Sequence, residues 1–416
     1  MQLFYQASKT VLGGDWEAGR RAAEAWLAEF PRESDPRLAL GYFLLLENQV
    51  ERAVSVLLEG LRLDPSDHPL FNHLCYAQAW AGNLAAALEA NDHYRALLPA
   101  EPNPWDTRGD VFYWFARHDE AIAAYRKVLE LKPDFLDHLE YLKLAVVYAD
   151  QKKFSQAESA LQEYGRRTTA LARLYLPIFE AQLEEARGQV ETARDSYRKA
   201  VVQFARAGQN QAAGEALLAF ARISALLGET AAALSFARQQ KLQGHECIGV
   251  SWLEASLGDQ AGAERSIQRY GATQPWVGPR GLEERRARND MQAALLRNDP
   301  RAVLAAAARL PDLNESPLLF IRGRAQLLLK DYVTAEQLLR RALAFDRHLG
   351  SRGEMRSRSP LLAILCHFYL GQVHEATGKR DQAVNEYQEF LSHFEGARTR
   401  LPQVAKARAA LKRLTR

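Results

Sequence analysis

The chain has 416 residues, 47% apolar and 25% charged, and its 54 Lys/Arg against 51 Asp/Glu leave a net charge of only +3. That balance excludes wholesale disorder and gives the molecule as a whole no electrostatic basis for binding nucleic acid or a membrane surface. The 67 Ala and 60 Leu, set against 25 Gly and 16 Pro, favour helices throughout. Cys75, Cys247 and Cys366 are too few and too far apart for a disulfide framework or a CxxC motif. Met1–Lys9 lacks the apolar run of a signal peptide, and no apolar stretch approaches the ~18 residues of a membrane span. The expectation is a soluble, cytoplasmic protein with no membrane partner.

Along the chain the first signal is a period. Pro31, Pro65, Pro99 and Pro133 stand 34 residues apart, and Ala53, Ala87 and Ala121 keep the same step. A turn residue followed five positions later by a small residue recurs as Asn48/Ala53, Gly82/Ala87, Ala116/Ala121, Lys152/Ala157, Gly188/Ala193, Gly228/Ala233, Gly258/Ala263, Asn298/Val303, Lys330/Ala335 and Gly378/Ala383. Gly14 with Ala23 and Trp26 adds a first unit. The step lengthens and wavers after Pro133, so the N-terminal units are the regular ones. Thr273–Gly281, with two Pro and two Gly, reads as a loop, which divides the chain into an array over 1–271, a hinge over 272–283 and a second array over 284–416. Arg347–Pro360 reads as a basic loop or helix extension. Leu401–Arg416 reads as an amphipathic helix closing the last unit, whose uncapped face would expose Phe390, Leu391 and Phe394.

The best unit, Pro102–Phe135, carries Trp105, Gly109, Phe112, Ala121, Tyr125, Val128 and Pro133. It resembles the tetratricopeptide repeat (TPR), a 34-residue helical hairpin, and departs from it at Arg108, where the family has an apolar residue. The resemblance implies an all-α, right-handed TPR solenoid of about eleven helical hairpins with a C-terminal capping helix. Glu101–Asp110, Tyr369–Gly378, Tyr387–Leu391 and Leu401–Arg408 further resemble the TPR region that follows the kinase domain in some bacterial Ser/Thr protein kinases. No kinase motif accompanies them: there is no His-Arg-Asp loop, no Asp-Phe-Gly and no Gly-rich loop with a strand lysine.

Catalytic and metal patterns fail on spacing. His367 and His374 are seven apart with no HExxH, and His73 and Cys75 do not share a helical face well. Gly371 and Gly378-Lys379 have the wrong spacing for a phosphate loop, and no G-x-S-x-G occurs. The expectation is no enzyme, no cofactor and no metal. Arg398, Arg400, Lys406, Arg408, Lys412, Arg413 and Arg416 crowd the last residues, and they read first as the solvated face of a capping helix.

In the geometry the resemblance implies, first helices line a concave groove. Projecting their inward positions nominates Tyr42, Asn72, Tyr76, Trp80, Asp106, Asp110, Tyr113 and Trp114, and a more basic lining from Arg222, Arg288 and Arg324 beside Trp252, Arg285 and Gln292. Aromatic anchors with Asp106 and Asp110 one helical turn apart suit a basic, apolar ligand; the bland alternative is packing against the next repeat. The function expected is a noncatalytic scaffold that binds a peptide or helix of a protein partner. The alternative is a regulatory or sensory module of a Ser/Thr kinase or transcriptional-regulator system.

Overall fold

The computed structural model describes residues 16–275, 277–310, 315–347, 355 and 358–415, and every regular element among them is helical. Gly14, Trp276 and most of the basic loop before Pro360 lie outside the described residues. After α1 (Trp16–Glu29) come the hairpins α2/α3 (Asp35–Leu46, Val50–Leu63), α4/α5 (His68–Trp80, Leu84–Leu97), α6/α7 (Asn103–Trp114, His118–Leu131) and α8/α9 (Leu139–Asp150, Phe154–Arg167). A short α10 (Ala170–Arg173) precedes α11/α12 (Leu176–Ala186, Val190–Arg206), α13/α14 (Asn210–Leu226, Thr230–Arg238) and α15/α16 (Glu246–Ser256, Gln260–Thr273). Then follow α17/α18 (Pro279–Leu296, Pro300–Ala307), α19/α20 (Ser316–Leu328, Tyr332–Asp346), α21/α22 (Pro360–Ala376, Arg380–Ser392) and the closing α23 (Pro402–Leu414).

Each hairpin is set by the same two residues. The turn residue takes a left-handed conformation in all ten hairpins, from Asn48 at φ 58° to Gly378 at φ 73°. Gly and Asn tolerate that conformation, whereas Ala116, Lys152 and Lys330 adopt it at a steric cost. Five residues on, Ala53, Ala87, Ala121, Ala157, Ala193, Ala335 and Ala383 are fully buried, where a side chain larger than a methyl would push the two helices apart. Gly109 shows the same economy on the first helix. A Cβ there would sit 2.4 Å from the Tyr125 ring.

First helices pack on the first helices of the next unit, α2 on α4, α4 on α6, α13 on α15, α15 on α17 and α19 on α21, while second helices of successive units make no comparable contact. The array therefore curves with its first helices inside. α16 ends at Thr273, and Pro279-Arg280-Gly281, read as loop from the sequence, forms the first turn of α17, where the N–H that proline lacks has no helical partner anyway. The division expected at 272–283 does not separate one core from another. A single apolar core joins Ile178–Leu253 with Leu319–Ala410.

This shared core exists because the solenoid folds back on itself. α21 packs against α11, and Lys152 Nζ in the α8–α9 turn lies 2.9 Å from Glu389 Oε1 and 2.5 Å from Ser392 Oγ at the end of α22. His393 Nδ1 reaches the Ala186 carbonyl at 3.0 Å, and Gly188 leaves no room for a Cβ, which would stand 2.5 Å from the His393 carbonyl oxygen. α23 seats Leu401, Val404, Ala407 and Ala410 on the last unit. Two of the terminal cations, Arg400 and Arg413, are spent on Glu229 and Glu375.

Candidate functional site

The inner face of α4, α6 and α8 carries the residues that the sequence reading singled out, and burial decides their chemistry. Asp106 and Asp110 share one face of α6, but their cation comes from within the chain. Fully buried Lys143 of α8 places Nζ 2.5 Å from Asp106 Oδ1 and 2.8 Å from Asp110 Oδ1. Tyr76 and Tyr125 each donate a 2.8 Å hydrogen bond to Asp110. The expected pairing of both aspartates with a ligand's Lys or Arg is thus already met by Lys143. Burial pulls the ammonium pKa down, yet Asp106 and Asp110 outweigh it and hold Lys143 above the usual lysine range. Burial pushes Asp106 up to about 6, Lys143 opposing it and Asp110 adding to it. Glu140, one turn before Lys143, is fully buried with neither carboxyl oxygen partnered by a side chain among the described residues, and burial beside Asp106 pushes it up to about 8, Lys143 opposing. Protonation is the least costly way to keep that carboxyl dry.

The aromatic anchors are occupied too. Trp80 and Trp114 stack with ring centroids 6.1 Å apart, and Phe345 from the end of α20 meets both edge-on at 5.4 and 5.0 Å. Tyr113 is fully buried; its hydroxyl donates to Asp150 at 2.5 Å and accepts from Arg358 at 3.2 Å. Arg358 also binds the Asp346 carboxylate and carbonyl, both at 2.8 Å. Gln182 Nε2 donates to the carbonyls of Met355 and Arg358, while Glu185 accepts from Ser359 Oγ and Leu361 N at 3.0 Å and so caps α21. The groove predicted as open for a ligand therefore holds a segment of the chain itself, anchored at Phe345, Asp346, Met355, Arg358 and Ser359. Of the other nominated residues, Asn72 accepts from Thr107 Oγ1 at 2.7 Å, and Tyr42 is exposed at the N-terminal end of the groove.

The basic lining of the later units also resolves residue by residue. Arg288 makes a two-pronged pair with Glu315 at 2.7 and 2.9 Å. Arg324 stacks over Tyr369, 4.7 Å from the ring centroid, and Arg285 over Tyr270 at 4.5 Å. Arg222 is half-buried, and its Nε has no hydrogen-bond partner among the described residues.

Sequence reasoning missed Lys143 and Glu140, and it read Arg347–Pro360 as a basic loop or helix extension without placing Met355, Arg358 and Ser359 against the groove. A lone lysine inside the apolar run Leu142–Val147 is a legible sign of a buried ion pair. Nothing local marks Arg358 as a group that reaches Tyr113, 245 residues away. No helix among the described residues is long and apolar enough to cross a membrane, and no group of three metal-ligating side chains is found among them.

A family model described as tetratricopeptide repeat matches residues 109–135. Human cilia- and flagella-associated protein 70 is 28% identical over 105 residues, 25% of this chain but only 9% of that protein's length. The crystal structure of MamA aligns with 22% identity over 39% of this chain and 93% of its own, at a TM-score of 0.32. The structure of Naa15/Naa10 bound to HypK-THB aligns with 13% identity over all of this chain and 77% of its own, at a TM-score of 0.29.

Proposed function

From the premise that the chain belongs to the tetratricopeptide-repeat superfamily, we propose that it is a noncatalytic protein-interaction scaffold whose inner groove binds a polypeptide segment of a partner. The observation that carries this reading is the groove's own occupant. Trp80 and Trp114 receive an aromatic ring, Tyr113 receives a guanidinium, and Gln182 binds two backbone carbonyls, which together are the contacts a peptide-binding groove makes. The partner segment then presents an aromatic or apolar residue and an arginine, and competes with Phe345 and Arg358. A second reading, a regulatory module of a kinase or transcriptional system, draws on the same feature, because a groove that holds its own segment has a closed and an open state.

The test is a fluorescein-labelled synthetic peptide copying residues 343–361, titrated by anisotropy. The Phe345→Ala/Arg358→Ala protein, checked to remain helical, should bind it at least about tenfold tighter than the unaltered chain, because the internal copy no longer competes at high effective concentration. Adding Trp114→Ala to that variant should abolish the gain. Equal, weak binding to all three folded proteins would sink the groove as a peptide site.

A further inference from the structure

The later units repeat the register of the filled groove with the charge reversed. Trp80 and Trp114 stand two residues before their left-handed turn residues and are covered by Phe345. At the same position in the next-to-last pair of adjacent units stand Leu296 and Leu328, 47% and 45% exposed. Where the filled groove presents Asp150 and Tyr113 to an arginine, this face presents guanidinium groups that, Arg288 apart, meet no carboxylate among the described residues. Arg222 makes no hydrogen bond among the described residues, and its side chain feels Glu185 and Tyr197 as favourable neighbours and Arg288 as an unfavourable one. Glu185 is already engaged by Tyr197, Ser359 and the α21 N-terminus. Among the described residues Arg285 keeps its Nε unpartnered while its Nη2 reaches only the Tyr270 hydroxyl at 3.3 Å, and Arg324 has ring faces for neighbours and no hydrogen bond. One turn beyond Arg285, the amide nitrogen of buried Asn289 has no acceptor. The carboxylates nearby are few: Glu315, held by Arg288, and Glu284, which burial pushes toward its neutral form.

An arginine cannot shed its proton to escape burial, so a half-buried guanidinium without an acceptor is a donor waiting for one. Its planar fork matches a carboxylate in two-pronged geometry. We infer that the inner face of α13, α17 and α19 is a second docking surface, which binds an acidic segment of a partner protein through Arg222, Arg285 and Arg324, with apolar side chains of that segment on Leu296 and Leu328. This surface is separate in residues and in charge from the groove around Trp80 and Trp114.

The probe is a fluorescein-labelled twelve-residue peptide alternating Glu and Leu, with Lys-for-Glu and phosphoserine-for-Glu versions as comparisons. The Glu peptide should bind saturably and weaken as salt is raised, and the Lys version should not bind. Arg222→Gln with Arg324→Gln should weaken binding at least about tenfold, whereas Arg222→Lys with Arg324→Lys, which keeps charge but loses the fork, should fall between. Melting temperatures should be close to that of the parent, since neither side chain holds a hydrogen bond; if the Gln pair does not fold, Leu296→Asp with Leu328→Asp gives the same readout. Trp80→Ala should leave binding of this probe unchanged, which separates this surface from the first groove. No saturable binding, equal affinity in the Arg222→Gln/Arg324→Gln protein, or equal affinity for the Lys version would overturn the assignment. Tighter binding of the phosphoserine version than of the Glu version would overturn the choice of a carboxylate ligand.

Discussion

The two inner faces of this solenoid share one repeat register and differ in what fills it. On the α4–α6–α8 face the nominated groups are taken up by the chain itself: Lys143 for Asp106 and Asp110, Phe345 for Trp80 and Trp114, Arg358 for Tyr113 and Asp346. On the α13–α17–α19 face Arg222 finds no acceptor among the described residues, Arg285 reaches only the Tyr270 hydroxyl, and two leucines stand half-exposed. A repeat fixes where a side chain points. Whether that side chain is structure or site depends on what the rest of the chain brings to it.

The largest expected effect tests the filled face. Lys143→Met leaves Asp106 and Asp110 buried without their cation and should cost about 3–5 kcal/mol at pH 7.5 in urea unfolding. The loss should shrink toward pH 5, where the Asp106 carboxyl, pushed up to about 6 by burial, takes up a proton. Arg222→Met, its counterpart on the other face, should shift stability by less than about 1 kcal/mol in either direction. A large loss there would mean that Arg222 holds the fold, and the contrast between the faces would fail. Trp114→Ala should come next, at about 3 kcal/mol, against less than about 1 kcal/mol for exposed Leu328→Ala, both read from calorimetric melting.

The pH profile sharpens the same contrast. Glu140 is held near 8 in the fold and titrates near the ordinary carboxylate value when unfolded. The fold therefore binds this proton more tightly than the unfolded chain does, so its contribution to stability is most favourable below about 4.5 and is lost as pH rises to about 8. Glu140→Gln should flatten that slope and leave the protein more stable than the parent at pH 9. An unchanged slope would place the proton elsewhere. The smallest effect concerns a turn. Lys330→Gly, at φ 63°, should gain about 1 kcal/mol by relieving a left-handed lysine, measured as a raised urea midpoint at constant slope.

The hairpins were legible because each is a local device, in which a left-handed turn residue and a buried alanine five positions later suffice. Thus even Lys152/Ala157 and Lys330/Ala335, where the glycine is replaced, fall in register. Groove residues were legible as positions but not as functions. Asp106 and Asp110 looked like a ligand's counter-charge because their lysine lies 37 and 33 residues on, in a unit whose spacing has drifted from 34. Phe345 and Arg358 could not be read at all, since a return segment has no period and its partner Tyr113 is 245 residues from Arg358. The hinge expected around Pro279 took a helix-opening proline for a chain breaker, and the core that joins Ile178–Leu253 with Leu319–Ala410 is made by contacts that no local pattern encodes.

Gly188, pressed against the His393 carbonyl, has a consequence for how such a chain can change over time. An open solenoid can gain or lose a unit by duplication, since each unit touches only its neighbours. Here the turn after α11 must meet the end of α22 with no space for a methyl group, and Lys152 must reach Glu389 at the same moment. Inserting one hairpin between them would carry the two ends past each other. The number of units between Trp80 and His393 is therefore locked, because Trp80 and Trp114 must also meet Phe345, and variation in length is least constrained in the units that precede Trp80.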